Sequence, residues 1–230
     1  MLFKVDNISK SFGQNQVLKD VSFDLVPGTI TGIVGRNGSG KTTLLKILCG
    51  IYKADSGEFT LDGKKLENNP EIISHIGFLP DRFDYFSFYK AKDLPEFYKI
   101  SYEDFDSDKF YELLNSFEIS KDLKVKECSK GMKEKIQIAL TLSRKAKIYI
   151  LDEPMSGIDP KSRKIVLNTI IDNFDYEGLM IISTHLVLEV EKMLDRALFL
   201  DNGKLVVNES VDDIRENHHM GVEEYFTEVL

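Results

Sequence analysis

An α/β fold built on a largely parallel sheet is what this sequence predicts, and two observations carry the prediction. Short apolar strand patterns alternate with helical patterns along the chain, an order that lays helices over a parallel sheet. A glycine-rich loop also separates the apolar run Thr29 to Val34 from a helical stretch, Thr42 to Leu48, that Gly50 is placed to stop. Strand, loop and helix therefore follow one another directly.

The elements can be taken in order. Val21-Ser22-Phe23-Asp24-Leu25 alternates so that one face of a strand is buried. From Phe83 to Tyr111 the chain holds eleven of its twenty-four aromatic residues, with acidic residues between them, which marks a separate lobe. Ser129 is placed to cap a helix whose buried stripe includes Met132, Ile136 and Leu140. Ile148 to Leu151 reads as a buried strand. Asp159-Pro160 reads as the N-cap and first residue of a helix with Val166, Ile170 and Phe174 on one face. Leu179 to Ser183 and Ala197 to Leu200 continue the strands. No repeat or low-complexity tract interrupts the 230 residues, which read as one domain.

Composition narrows the class of function. With 42% hydrophobic residues the chain can bury a large core. A net charge of −8 offers no overall basic field for nucleic acid, so none is expected as a partner. Cys49 and Cys128 have neither disulfide-framework nor zinc spacing, which fits a reducing cytoplasm. Cys49 reads as buried filler, and His218-His219 as an exposed face. The N-terminus lacks the apolar stretch of a signal peptide, and no apolar run is long enough to span a bilayer. Any membrane part would come from another chain.

The strongest chemical signal is Gly35-Arg36-Asn37-Gly38-Ser39-Gly40-Lys41-Thr42, which fits G-x-x-x-x-G-K-[ST] between strand and helix. Its glycines let phosphate oxygens approach backbone N–H groups at a helix N-terminus. Gly35, Asn37, Gly38, Ser39, Gly40 and Thr43 are expected in the nucleotide cradle, with Lys41 on the β and γ phosphates and the Thr42 hydroxyl on Mg²⁺. The second signal is an apolar strand ending in Asp152-Glu153, at the strand end where open α/β sheets place ligands. Asp152 is the expected partner of Mg²⁺. Strand alternation would turn Glu153 to the other side, where it could polarise an attacking water.

The order of these motifs resembles the nucleotide-binding domain of ABC transporters over essentially the full length. Ser156-Gly157-Ile158-Asp159-Pro160 is similar to the family's D-loop, and His185, in Ser183-Thr184-His185, to its switch histidine, which contacts the γ-phosphate. Phe12, in Ser11-Phe12-Gly13, matches the aromatic that stacks on adenine; a phenylalanine in the core of a short strand is the competing reading. The resemblance implies a P-loop NTPase RecA-like core with an N-terminal antiparallel β subdomain and a helical subdomain inserted at approximately 82–142.

Two segments depart from the family pattern. Where its signature reads LSGGQ, this chain has Cys128-Ser129-Lys130-Gly131-Met132. By resemblance, Ser129 and Gly131 face the γ-phosphate of ATP on the opposite subunit, while Lys130 either aids closure or faces solvent. This variant is similar to that of single-cassette exporter subunits. Ile76-Gly77-Phe78-Leu79-Pro80-Asp81 aligns with the Q-loop strand but ends in Asp81 instead of Gln. Its carboxylate still offers oxygen to Mg²⁺, on a shorter side chain than Gln, so Asp81 either reaches the metal after the loop moves or only begins the lobe.

These readings imply an ATPase using ATP and Mg²⁺, paired with a second nucleotide-binding subunit. It would drive a transmembrane permease, in the direction of export, from the inner face of the cell membrane. By the same resemblance the aromatic lobe would lie near the docking cleft, with Phe83, Tyr85 and Phe86 as candidate anchors, while an internal core for the lobe is the competing reading for most of its aromatics. A mechanical ATPase acting on ribosomes or DNA is the rival reading, against which stand the single cassette and the lack of heptad arrays. A small-molecule kinase would leave the later motifs unexplained.

Overall fold

The computed structural model describes residues 2–66, 69–81 and 86–230. Its strands are β1 (Phe3–Phe12), β2 (Asn15–Leu25), β3 (Ile30–Val34), β4 (Ser56–Leu61), β5 (Lys64–Lys65), β6 (Ile76–Leu79), β7 (Ile148–Asp152), β8 (Leu179–Thr184), β9 (Arg196–Asp201) and β10 (Lys204–Ser210). The helices are α1 (Lys41–Leu48), α2 (Pro70–Ser74), α3 (Leu94–Ser101), α4 (Ser107–Ser116), α5 (Lys130–Leu142), α6 (Pro160–Asp172), α7 (Val187–Val190), α8 (Val211–His218) and α9 (Val222–Val229). Among the described residues no helix is long and apolar enough to cross a membrane.

Two sheets organise these elements. Four antiparallel strands in the order β2-β1-β4-β5 form the N-terminal sheet, and six in the order β10-β9-β3-β8-β7-β6 form the main one. In the main sheet β3 pairs in parallel with both β8 and β9, and β7 joins β6 and β8 in the same sense. Only β10 runs antiparallel. Strand β3 is thus central, which fixes the base of the glycine-rich loop. The expected strand at Val21 to Leu25 is the end of a longer one, because β2 extends back to Asn15 to pair with β1.

Alternation along the strands splits the core in two. Ile148 and Ile150 face Leu44, Leu45 and the N-terminal sheet, while Tyr149 and Leu151 face α5 and α6. Helix α1 is therefore held between the two sheets. Side-chain caps start the helices that follow: Asp106 accepts from two backbone N–H groups of α4, Ser129 from Met132 of α5, and Asp159 from Ser162 of α6. Between β6 and β7 the described chain forms helices α3 to α5, and Phe110, Leu114 and Phe117 of α4 share the core with Ile136 and Leu140 of α5.

Arg144 joins these helices to the sheet. It is 4% exposed, and its guanidinium donates to the Ile76 carbonyl at 2.8 Å, to the Ser74 carbonyl, and to both oxygens of Asp104 at 3.0 Å. The Tyr102 ring lies 3.8 Å away over its face. His218 is not the simple exposed face expected: it stacks on Tyr225 at 4.0 Å and meets Glu209 at 3.1 Å, fastening α8 to α9 and β10.

Candidate active site

The glycine-rich loop leaves β3 with no room for larger residues. A Cβ on Gly35 would stand 2.4 Å from the Leu200 carbonyl and 2.5 Å from Ser39 Oγ. Gly40 has φ 110°, a conformation that side chains rarely adopt. The loop feeds α1, whose N-terminal N–H groups face the cleft.

That cleft has a volume of about 460 Å³, and Asn37, Gly38, Gly40, Lys41, Thr42, Thr43, Asp81, Glu153 and His185 line it. The glycine-rich loop, Glu153, His185 and Asp81 are thus brought to one cleft. Gly35 and Ser39 lie beneath as buried supports. Val17 and Ser156 also line the cleft. Ser156 belongs to a motif already singled out, whereas nothing in the sequence distinguishes Val17 from a strand residue.

Phe12, Ser129 and Gly131 are outside the lining. Phe12 is 47% exposed at the end of β1, against the reading as a core residue. It meets Tyr52 edge to face at 5.6 Å, with Lys10 Nζ 5.5 Å from its ring. Ser129 is exposed at the start of α5, its hydroxyl accepting the Met132 N–H, and Gly131 is half-buried behind it. Lys130 turns toward its own chain, 3.7 Å from Glu134.

At the acid pair the backbone changes hand. Asp152 ends β7, but Glu153 has φ 51°. Its direction therefore comes from a left-handed turn and not from the strand alternation expected. Glu153 donates its N–H to the Ser183 carbonyl and hydroxyl. Its carboxylate lies 2.8 Å from His185 Nδ1 and 3.5 Å from Lys41 Nζ. Lys41 also donates to the Gly35 carbonyl at 2.7 Å.

Asp152 is fully buried. Its Oδ1 accepts from Ser183 at 2.6 Å and Thr42 at 3.1 Å, while Oδ2 is buried with no hydrogen-bond partner among the described residues. Burial pushes this carboxyl above its ordinary value, against the lowering effect of the two hydroxyls. A buried carboxylate oxygen without a partner among the described residues, beside a threonine hydroxyl and the cleft, fits a hard divalent cation. Ser183 was missed by sequence reasoning, although it stands two residues before His185 on the neighbouring strand.

A model of the ABC transporter family matches residues 18–156, more than half of the chain. The chain belongs to the ABC transporter family. The ABC transporter ATP-binding protein YtrB of Bacillus subtilis (strain 168) is 33% identical over 218 residues, covering 94% of this chain and 75% of YtrB. A solved ATP-binding subunit of an ABC transporter superposes with a TM-score of 0.87 at 24% identity, covering 99% of both chains. An ATP-binding cassette in a dimeric post-hydrolysis state bound to ADP and Pi superposes with a TM-score of 0.79 at 22% identity, over 90% of this chain and 98% of that one. The chain is an ABC ATP-binding subunit and an ATPase with a RecA-like α/β core.

Proposed function

We propose that this ABC subunit closes on a second cassette around ATP, hydrolyses it with Glu153 acting on the attacking water, and so drives a separate membrane permease. The observation that carries the catalytic assignment is the Glu153 carboxylate, placed between His185 and Lys41 in the lining of the cleft that the glycine-rich loop also lines. A carboxylate in that position can take a proton from water while His185 fixes its orientation. Lys41 exchanges its contact with the Gly35 carbonyl for the β and γ phosphates. The exposed Phe12 ring offers a face for adenine.

Thr42 and Asp152 are the proposed Mg²⁺ ligands, with Asp81 at the rim of the cleft as a weaker contributor. When bound, the ion would neutralise phosphate charge. Ser129 and Gly131 lie outside their own cleft, as suits a segment that serves ATP on the opposite subunit. The helical subdomain, residues 82–142, faces the permease, and the cassette works on the inner face of the membrane. Export is the direction favoured by the likeness of Ser129-Lys130-Gly131-Met132 to single-cassette exporter subunits.

Glu153→Gln tests the reading. The amide keeps the shape but cannot act as a base, so turnover should fall by at least about a hundredfold while ATP affinity persists. The variant should accumulate as an ATP-bound dimer in size-exclusion chromatography with light scattering. Steady-state hydrolysis near the wild-type rate would remove Glu153 from the catalytic role.

A further inference from the structure

We propose that Glu134 is a positioning residue for hydrolysis: from the second turn of α5 it holds Ser156 and Gly157, and through them the turn that carries Glu153. The inference rests on the reading of Glu153 as the group that acts on water.

Glu134 is only 8% exposed, so its carboxylate needs partners. One oxygen accepts the Gly157 N–H at 2.8 Å, and the other accepts the Ser156 hydroxyl at 3.3 Å. Lys130, where the family signature has a glycine, stands 3.7 Å from that second oxygen and 3.5 Å from the Ser156 hydroxyl. Burial raises the Glu134 carboxyl above its ordinary value, while the Gly157 N–H and Lys130 favour its ionised form.

Two glycines bring the segments together. A Cβ on Gly157 would stand 2.3 Å from Glu134 Oε1, and one on Gly131 would stand 3.0 Å from the Gly157 carbonyl. The loop is thus seated directly on the first turns of α5. On its other side it reaches Glu153, because the Ser156 N–H donates to the Glu153 carbonyl at 3.2 Å.

Glu153 needs such support. Its φ of 51° is disfavoured for a residue with a side chain and persists only where neighbours hold it. Ser183 holds the front of the turn. Glu134, through Ser156 and Gly157, holds the back. The same helix is capped by Ser129 and carries Gln137 at the start of its third turn, where the Gln137 amide donates to the Pro80 carbonyl at 2.6 Å, next to Asp81. A shift of α5 on contact with a partner's nucleotide therefore reaches both edges of the cleft.

The experiment compares the purified full chain with Glu134→Ala, Glu134→Gln and Gly157→Ala, measuring kcat, KM, equilibrium affinity for a fluorescent ATP analogue, and melting temperature. Glu134→Ala should lower kcat at least about tenfold, with nucleotide affinity within about twofold of wild type. Glu134→Gln should recover most of the turnover, since its amide oxygen still accepts the Gly157 N–H. Gly157→Ala, whose methyl displaces the carboxylate without touching the core, should behave like Glu134→Ala. An unchanged kcat in Glu134→Ala, or a parallel loss of kcat and affinity that Glu134→Gln does not recover, overturns the proposal. Run alongside, Glu153→Gln separates the two ideas: an inactive Glu153→Gln beside a fully active Glu134→Ala defeats only the positioning role. An active Glu153→Gln defeats the reading on which it rests.

Discussion

Asp152 has surroundings that suit a cation. One oxygen is satisfied by two hydroxyls and the other is buried without a partner among the described residues, so the ionised group is costly until a cation arrives. Its folded-state pKa is raised; the carboxyl's stabilising contribution is therefore full below the ordinary carboxylate range and is lost as pH rises through the raised value. Asp152→Asn should abolish that decline in melting temperature for the nucleotide-free chain. The same variant should raise the Mg²⁺ needed for half-maximal turnover by at least about tenfold. Asp81→Ala should raise it less, because Asp81 is exposed at the rim of the cleft. Equal Mg²⁺ dependence in wild type and Asp152→Asn would refute the metal assignment. Most of this site was readable from the sequence, because phosphate chemistry demands glycines, a lysine and a hydroxyl at fixed spacing. The turn at Glu153 was not, since local spacing does not report a single left-handed residue, and Glu134 was not, since its partners lie more than twenty positions away.

At the scale of elements, caps and periodicity predicted helices α5 and α6 and the buried strands β7, β8 and β9, all of which are present. Local rules did not predict how the helical insertion is fastened to the sheet. That attachment depends on Arg144, whose partners at 74, 76 and 104 are brought to it only by folding. A lysine has one compact ammonium group and cannot span two carbonyls and a carboxylate together. Arg144→Lys should therefore cost about 3 kcal/mol, the range for breaking a largely buried pair. For a chain of this size that is a fall of roughly 10 °C in melting temperature, measurable by calorimetry. The cleft lies on other elements, so nucleotide affinity well below the melting transition should hold. A melting temperature within error of wild type would show that the contacts of Arg144 are replaceable by water.

At the scale of the whole molecule, the proposed permease needs a docking surface on the cassette, and the aromatic lobe supplies the candidates. Its aromatics were evident from composition, but which of them would be exposed was not, because the cluster follows no helical or strand period. Phe83 and Tyr85 lie outside the described residues. Phe86 is half-buried against Phe97, Tyr98 and Tyr89, at centroid distances of 5.4, 6.4 and 6.3 Å, so it serves the interior of the lobe. Phe88 is different: it is 82% exposed, with Tyr89 exposed beside it and Lys126 Nζ 5.8 Å from its ring. Its backbone is nonetheless pinned, since Lys126 and Val125 donate their N–H groups to the carbonyls of Ser87 and Tyr89. A large ring on a fixed backbone loses little entropy on binding, which favours it as an interface anchor. Phe88→Ala should weaken docking to the permease by about 2 kcal/mol or more, roughly thirtyfold. ATP affinity and melting temperature should stay at wild-type values, because the ring is largely exposed. The measurement is recovery of the membrane partner with the tagged chain from detergent-solubilised membranes, at matched cassette levels, beside nucleotide binding. Full recovery with Phe88→Ala would place the docking surface away from this segment, while a drop in melting temperature would assign Phe88 to the fold of the lobe instead.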